Sequence, residues 1–284
     1  MTRPRPYRFA GRTAVVTGAA SGIGEQLAHG LAARGSDLVL LDRDADRLRS
    51  VADDVRAAYS GRTVEALDVD LADRAALATA ADRVLATHPR LGLLVNNAGV
   101  ALGGRFDQVT VEEFEWVMAV NFTAPMLLIH RLLPALTAGP GSHLVNVSSL
   151  YGLVAPPGQS AYSASKFALR ALSEALRSEL ATDGVGVTTV HPGGVRTRIA
   201  ESARVGSHVP PEDVAKEQRK FAAVLTYPAH KAAEDILHGV RHRRARVLIA
   251  PSAKVPDLLA RLLPVSHMKV LGKLTDAAAK GGKP

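Results

Sequence analysis

Short, wholly apolar runs alternate with helix-length stretches along most of this chain. Thr13–Gly18 (TAVVTG) is the first run and ends in glycine; Ile23, Leu27 and Leu31 then recur at helical spacing as far as Arg34. Leu38–Asp42 (LVLLD) follows, and after it a charged, Ala-rich stretch from Ala45 to Tyr59 reads as a second helix. Thr63–Val69, Leu91–Val95, His143–Ser148 and Gly186–His191 continue the series at helix-length intervals, with Val247–Ile249 as a late strand. Strands that are apolar throughout, rather than at alternate positions, are buried on both faces. A parallel sheet covered by helices meets that requirement. The pattern therefore predicts a doubly wound, Rossmann-like α/β fold in a single domain. Residues 1–250 form its body, including a substrate lid over 198–230, and 251–284 read as a basic, partly amphipathic extension of the same domain.

Composition changes this picture little. A chain of 284 residues can bury a sizeable core, and 47% hydrophobic with 22% charged residues is ordinary for a soluble globular protein. With no cysteine, disulfides and thiolate metal sites are excluded, and no His cluster at ligand spacing suggests a metal. The basic N-terminus lacks the apolar stretch of a secretory signal, and no run is expected to reach the length of a membrane span, so a cytoplasmic location is the expectation. Charge is informative in its placement. Arg241–Pro284 holds ten Lys or Arg against Asp257 and Asp276, which accounts for the whole net charge of +8. A polyanion-binding role for the body is thus poorly supported, and no nucleic-acid partner is expected.

The chemistry is concentrated in two places. Gly18, Gly22 and Gly24 of TGAASGIG (Thr17–Gly24) lie between the first strand and the first helix. Glycines there let the backbone turn sharply and approach a pyrophosphate, whose charge a helix N-terminus favours. Asp42 ends the second strand, where a carboxylate can hold both ribose hydroxyls and repel a 2′-phosphate; this argues for NAD, with NADP as the alternative. Farther along, Tyr162 and Lys166 are four residues apart, on one face of a helix. A phenol with an ordinary pKa of about 10 is a poor catalyst near neutrality, and an adjacent ammonium is expected to lower it. Ser149 could donate a hydrogen bond to a carbonyl or alkoxide oxygen.

Taken in order, TGAASGIG, the NNAG run at Asn96–Gly99, Asn121, Ser149, the Tyr162–Lys166 pair thirteen residues beyond it, and PGGVRT at Pro192–Thr197 resemble the short-chain dehydrogenase/reductase family. The resemblance covers roughly Gly11 to Thr197, and G-x-x-x-G-x-G is itself a mark of the family. It implies Tyr162 as acid–base catalyst, Lys166 as ribose ligand and modulator of that tyrosine, and Ser149 as the group stabilising the substrate oxygen. Asn121 would hold a water linking Lys166 to solvent. For the cofactor it implies Gly18, Ser21, Gly22, Ile23, Gly24, Asp42 and Arg43 around the phosphates and adenosine ribose, with Asp68 and Val69 at the adenine. Asn96, Ala98 and Gly99 would line the cofactor, Asn96 also bracing the sheet, and Pro192, Gly193, Val195 and Thr197 would hold the nicotinamide end. Arg43 has two readings, a phosphate ligand for NADP or a surface charge near Asp44 and Asp46. Ser21 stands where NADP-dependent relatives often carry a second basic residue. Ser148 reads as a loop brace and His191 as a packed strand-end histidine.

Substrate specificity is expected in Leu150–Gln159 and Arg198–Tyr227. Leu150, Tyr151, Leu153, Val154, Pro156 and Pro157 make the first segment apolar, which suits a lipophilic secondary alcohol or ketone. The resemblance also implies a homodimer or homotetramer. Reduction of a 3-oxoacyl thioester is an alternative activity, with the basic surface receiving an acidic carrier. A cofactor-binding regulator using the Arg241–Arg246 cluster is another alternative, against which the intact Asn121, Ser149, Tyr162 and Lys166 set counts. Leu258, Leu259, Leu262 and Leu263 could form an apolar face packed on the subunit or its partner, capping the substrate site, or touching an anionic membrane, in that order of preference.

Overall fold

A computed structural model describes residues 5–273, with the backbone alone at Lys216, Glu217 and Lys220. Seven strands form its central sheet: β1 (Thr13–Thr17), β2 (Asp37–Asp42), β3 (Val64–Asp68), β4 (Leu93–Asn96), β5 (His143–Val147), β6 (Gly186–Pro192) and β7 (Arg246–Ile249). All neighbouring pairs are parallel, and the spatial order is β7-β6-β5-β4-β1-β2-β3. The chain enters at β1, winds outward to β3, then returns to the other flank of β1. The change of direction between β1 and β4 leaves a crevice at the strand C-termini, where ligands of doubly wound sheets bind.

Helices cover both faces. They are α1 (Gly22–Ala33), α2 (Ala45–Ala58), α3 (Arg74–Thr87), α4 (Val111–Met118), α5 (Ala124–Ala138), α6 (Ser160–Glu179), α7 (Ile199–Ser202), α8 (Pro211–Ala223), α9 (Ala229–Arg241) and α10 (Pro251–Leu262). Leu27 and Leu31 of α1, Val51 and Val55 of α2, and Ile236 and Leu237 of α9 fill one core layer. Leu77 and Val84 of α3, Leu128 and Leu132 of α5, and Ala161 and Leu180 fill the other. The apolar positions read as helical periodicity in α1 are thus the ones the sheet buries. Truncating one of these leucines to alanine costs about 2–5 kcal/mol.

Predicted and observed boundaries agree to within two residues for all seven strands and for α1 and α2. One expectation is corrected. Val111–Ala138 runs as a continuous 28-residue helical stretch through a π turn at Ala119–Thr123, long and apolar enough to cross a membrane by length and composition. Its apolar side, including Leu128, Leu132 and Leu136, is instead occupied by core packing. The run escaped the sequence reading because the helix is punctuated by Asn121 and Pro125, which break it into shorter apolar pieces.

Candidate active site

The glycine turn is shaped by backbone crowding as much as by conformation. Gly18 adopts φ +67°, and a Cβ there would lie 2.8 Å from Ala98 Cα. At Gly24 the φ is ordinary, but a Cβ would meet the Gly18 carbonyl at 1.9 Å, so this glycine lets α1 lie against its own turn. Asn97 completes the fold of the loop: its Nδ2 donates to the carbonyls of Thr17 and Gly18, and its backbone N–H donates to Thr17 Oγ1. Ser21 is the N-cap of α1 but makes no side-chain cap bond. The first-turn amides of a helix lack partners within it, so this end can receive an anion.

Asp42 stands at the end of β2 with its carboxylate held in place, Oδ2 accepting from Ala20 N–H (3.0 Å) and Oδ1 from Asp44 N–H (3.1 Å). Together with Gly18, Ser21, Gly22, Ile23 and Arg43 it lines a cleft of about 640 Å³. Val69, Ala98, Gly99, Ser149, Tyr162, Lys166, Pro192, Gly193, Val195 and Thr197 line the same cleft. Three of the residues predicted to bind the cofactor do not, and neither does Asn121. Asp68 is exposed outside it, and Asp70 and Leu71 take its place beside Val69. Gly24 lies behind the turn. Asn96 points across the sheet to its register partner Asn146, donating to Oδ1 at 2.9 Å, so it braces β4 against β5 while Asn97 faces the cleft. A period of two along β4 would have separated these neighbouring asparagines.

The side chains expected to react come from β5, the π turn and α6. Ser149 follows β5, and its Oγ accepts from Tyr151 N–H at 3.1 Å. It also acts on the Tyr162 phenol, lowering that pKa against burial. Ser148 turns the other way and donates to the Lys166 carbonyl (2.9 Å), the bracing role read from sequence. His191, buried at the end of β6, meets the Ser149 carbonyl through Nδ1 at 3.0 Å. Because the partner is an acceptor, Nδ1 carries the proton. Burial pushes this imidazole down to about 4, against the opposing effect of that hydrogen bond, so it is neutral near pH 7.

Tyr162 is where expectation and structure part. Burial pushes its phenol up to about 12, outweighing the lowering by Ser149. Lys166 does not offset this: its Nζ lies 5.7 Å from the tyrosine ring centroid and donates to the Val147 carbonyl at 3.0 Å. Burial also pushes Lys166 down to about 8, which weakens the charge it can offer. The expected lowering of the tyrosine pKa is therefore absent, because desolvation acts on both partners and the Lys166 ammonium is turned to Val147.

Asn121 sits inside the π turn, buried. Its Nδ2 donates to the Val100 carbonyl (3.0 Å) and Ser165 Oγ (3.1 Å), and its Oδ1 accepts from Val100 N–H (2.8 Å). A Cβ on Gly99 would lie 3.1 Å from Lys166 Nζ and 3.3 Å from Asn121 Oδ1, so both groups flank the same bare backbone. Both Nδ2 donors being spent, a water relay here would use the remaining acceptor capacity of Asn121.

The side of the cleft where a substrate is expected is assembled from distant segments. Leu150, Tyr151 and Gln159 line it from the loop after β5, whereas Leu153 and Val154 are buried beneath. The segment expected to form a lid contributes Ile199, Phe221, Val224 and Leu225 to the lining, and the start of α10 adds Ser252 and Pro256, which carry no local motif. Lid strand Arg204–Val205 pairs with Leu102–Gly103, Glu113 accepts from Ser207 N–H (3.1 Å) and Oγ (2.6 Å), and the Arg204 guanidinium stacks 3.8 Å from the Trp116 ring. A smaller hollow of about 190 Å³ between α3 and α5 holds Arg74 and Arg131 but no acid–base pair.

A glycine turn at the switch point of a doubly wound sheet, with serine, tyrosine and lysine on adjoining elements, defines a single-domain dinucleotide-binding oxidoreductase. Residues 12–207 match the short chain dehydrogenase family, and the chain belongs to the short-chain dehydrogenase/reductases. It is 38% identical over 271 residues to the Mycobacterium tuberculosis protein SadH, an oxidoreductase by name, covering 93% of this chain and 95% of that one. Among solved structures it is similar to a short chain dehydrogenase/reductase from Burkholderia phymatum in complex with NAD (TM-score 0.82, 30% identity, 90% of this chain and 94% of that one). A short-chain dehydrogenase from Sphingobium yanoikuyae in complex with NADPH is also similar (TM-score 0.72, 31% identity, 95% and 94%).

Proposed function

We propose that this protein transfers a hydride between NAD(H) and a lipophilic secondary alcohol or ketone, with Tyr162 as acid–base catalyst. The observation that carries the reading is the meeting of Ser149, Tyr162 and Lys166 in one cleft with the glycine turn and the held carboxylate of Asp42. The residues present fit a nicotinamide dinucleotide. Gly18 and Gly22 both adopt positive φ, and added Cβ atoms would crowd Ala98 and Thr197, so side chains there would narrow the backbone cradle. When bound, the nicotinamide supplies the hydride acceptor or donor.

The chain's own groups handle the proton and the geometry. Tyr162 passes a proton to or from the substrate oxygen, and Ser149 holds that oxygen by hydrogen bonding. Lys166 would bind the ribose, with Asn121 joining it to solvent through a water. His191 keeps the Ser149 backbone in position from behind. Pro192, Gly193, Val195 and Thr197 would orient the carboxamide end, and Val69 would contact adenine with Asp70 and Leu71. NAD is favoured over NADP because Asp42 offers a carboxylate to the ribose and Ser21 no cation, although solved relatives include complexes with NAD and with NADPH. The apolar side chains of Leu150, Tyr151, Ile199, Phe221, Val224 and Leu225 support a lipophilic substrate. Tyr162→Phe is expected to lower kcat by about 10²–10⁴-fold with cofactor affinity unchanged, measured by nicotinamide absorbance on a panel of secondary alcohols and ketones. Turnover close to the parent enzyme would overturn the assignment.

A further inference from the structure

Helix α10 has three sides with different surroundings. Ala253 and Asp257 are buried against the body, where Asp257 pairs with Arg246 and Arg261. Burial pushes the Asp257 carboxyl up, but the two guanidiniums outweigh it and hold it below the usual carboxylate range. Ser252 and Pro256 line the cleft. The remaining side is apolar and uncovered: Val255 is 54% exposed, Leu258 57% and Leu262 68%, at i, i+3 and i+7, so they form one stripe. Beyond the helix Val265 is 93% exposed. Lys254 and Arg261, seven residues apart, run along one flank of the stripe, and Lys269 and Lys273 follow on the exposed surface. Between Ala250 and Lys273 the only carboxylate is Asp257, and it is turned inward and paired.

We propose that this stripe docks the protein on an anionic lipid bilayer, α10 lying in the interface with Val255, Leu258, Leu262 and Val265 inserted and the lysines against the headgroups. The charge pattern selects this occupant. An apolar face bordered by cations, with no outward carboxylate between Ala250 and Lys273, matches a surface that is apolar in depth and negative at its rim. A second copy of the chain would bring the same cations face to face across a two-fold contact, where like charges oppose association. The neighbouring residues of the same helix, Ser252 and Pro256, line the cleft, so docking would set the cleft beside the lipid. A lipid-borne substrate deepens the function proposed above, but the docking itself does not depend on turnover and is measured without it.

The test is co-sedimentation of the full chain with vesicles of phosphatidylcholine alone and of phosphatidylcholine mixed with equal phosphatidylglycerol, at low and high salt. The expected result is binding to the mixed vesicles only, weakened by salt. Leu258→Glu/Leu262→Glu should lower the bound fraction at least tenfold, and Lys254→Glu/Lys269→Glu should lower it severalfold. Neither pair lines the cleft, so unchanged circular dichroism and cofactor binding show that the variants are folded. Sedimentation velocity runs alongside. Absence of binding to mixed vesicles, or binding that both variant pairs leave intact, overturns the proposal. So does a leucine variant that converts a vesicle-free dimer to monomer, since the stripe would then be a subunit contact.

Discussion

The two sides of the cleft are built on different principles. The nucleotide side is backbone: strand ends, a glycine turn and a helix terminus within the first hundred residues, interlocked by Asn97 and by the Asp42 carboxylate. The opposite side, where the proposed function places the substrate, is side chains brought from the β5 loop, the 198–230 segment and α10, held by exposed polar contacts such as Glu113 with Ser207. Backbone architecture tolerates almost no added volume. Surface clamps can be exchanged with little cost to stability, because exposed pairs contribute little. The difference teaches where this fold can vary its chemistry and where it cannot.

The largest effect that would sharpen this contrast is Gly24→Ala. Its Cβ would collide with the Gly18 carbonyl, and neither backbone can yield freely, so a loss of about 3 kcal/mol or more in a denaturant melt is expected, with weakened cofactor binding. A variant as stable as the parent would break the comparison. The seam between the sides should be acid-labile. The folded state holds His191 at about 4, below its ordinary 6.5, so its contribution is present above pH 6.5 and lost as pH falls toward 4. His191→Asn, which keeps a donor for the Ser149 carbonyl, should remove up to about 3 kcal/mol of the unfolding free energy lost between pH 7 and pH 4 in denaturant melts. An unchanged loss would assign the acid lability to His143, which burial pushes down to about 3.

A smaller effect is expected at Asp42. Removing the carboxylate with Asp42→Ala should raise the NADP-to-NAD ratio of kcat/KM by about tenfold, a change of about 1.4 kcal/mol. An unaltered ratio would mean that another residue, Arg43 first, sets the preference. The smallest effect should come from the substrate side: Glu113→Gln, by loosening the lid clamp, is expected to change KM a few-fold while stability stays within about 1 kcal/mol. A large loss of stability there would show that the lid is as integral as the glycine turn.

Legibility in the sequence followed the same division. The strands could be read because burial on both faces demands continuous apolar runs, and the glycine turn because its spacing is local. Tyr162 and Lys166 were readable from helical periodicity, but their electrostatics were not, since Val147 and the surrounding burial lie outside any motif. Asn96 and Asn97 are adjacent and identical, and only the pairing of β4 with β5 tells which braces the sheet. Phe221 falls within the Arg198–Tyr227 segment expected there, whereas Ser252 and Pro256 reach the cleft through tertiary packing across long stretches of chain, and no spacing rule predicts that.

The contact between Arg204 and Trp116 has a practical consequence. Trp116 is the chain's one tryptophan, and it lies under the very residue that joins the lid strand to the body. Indole emission therefore reports on a single place in the molecule, with no label and no background from other tryptophans. The protein carries its own optical gauge of whether Arg204–Val205 is paired with Leu102–Gly103.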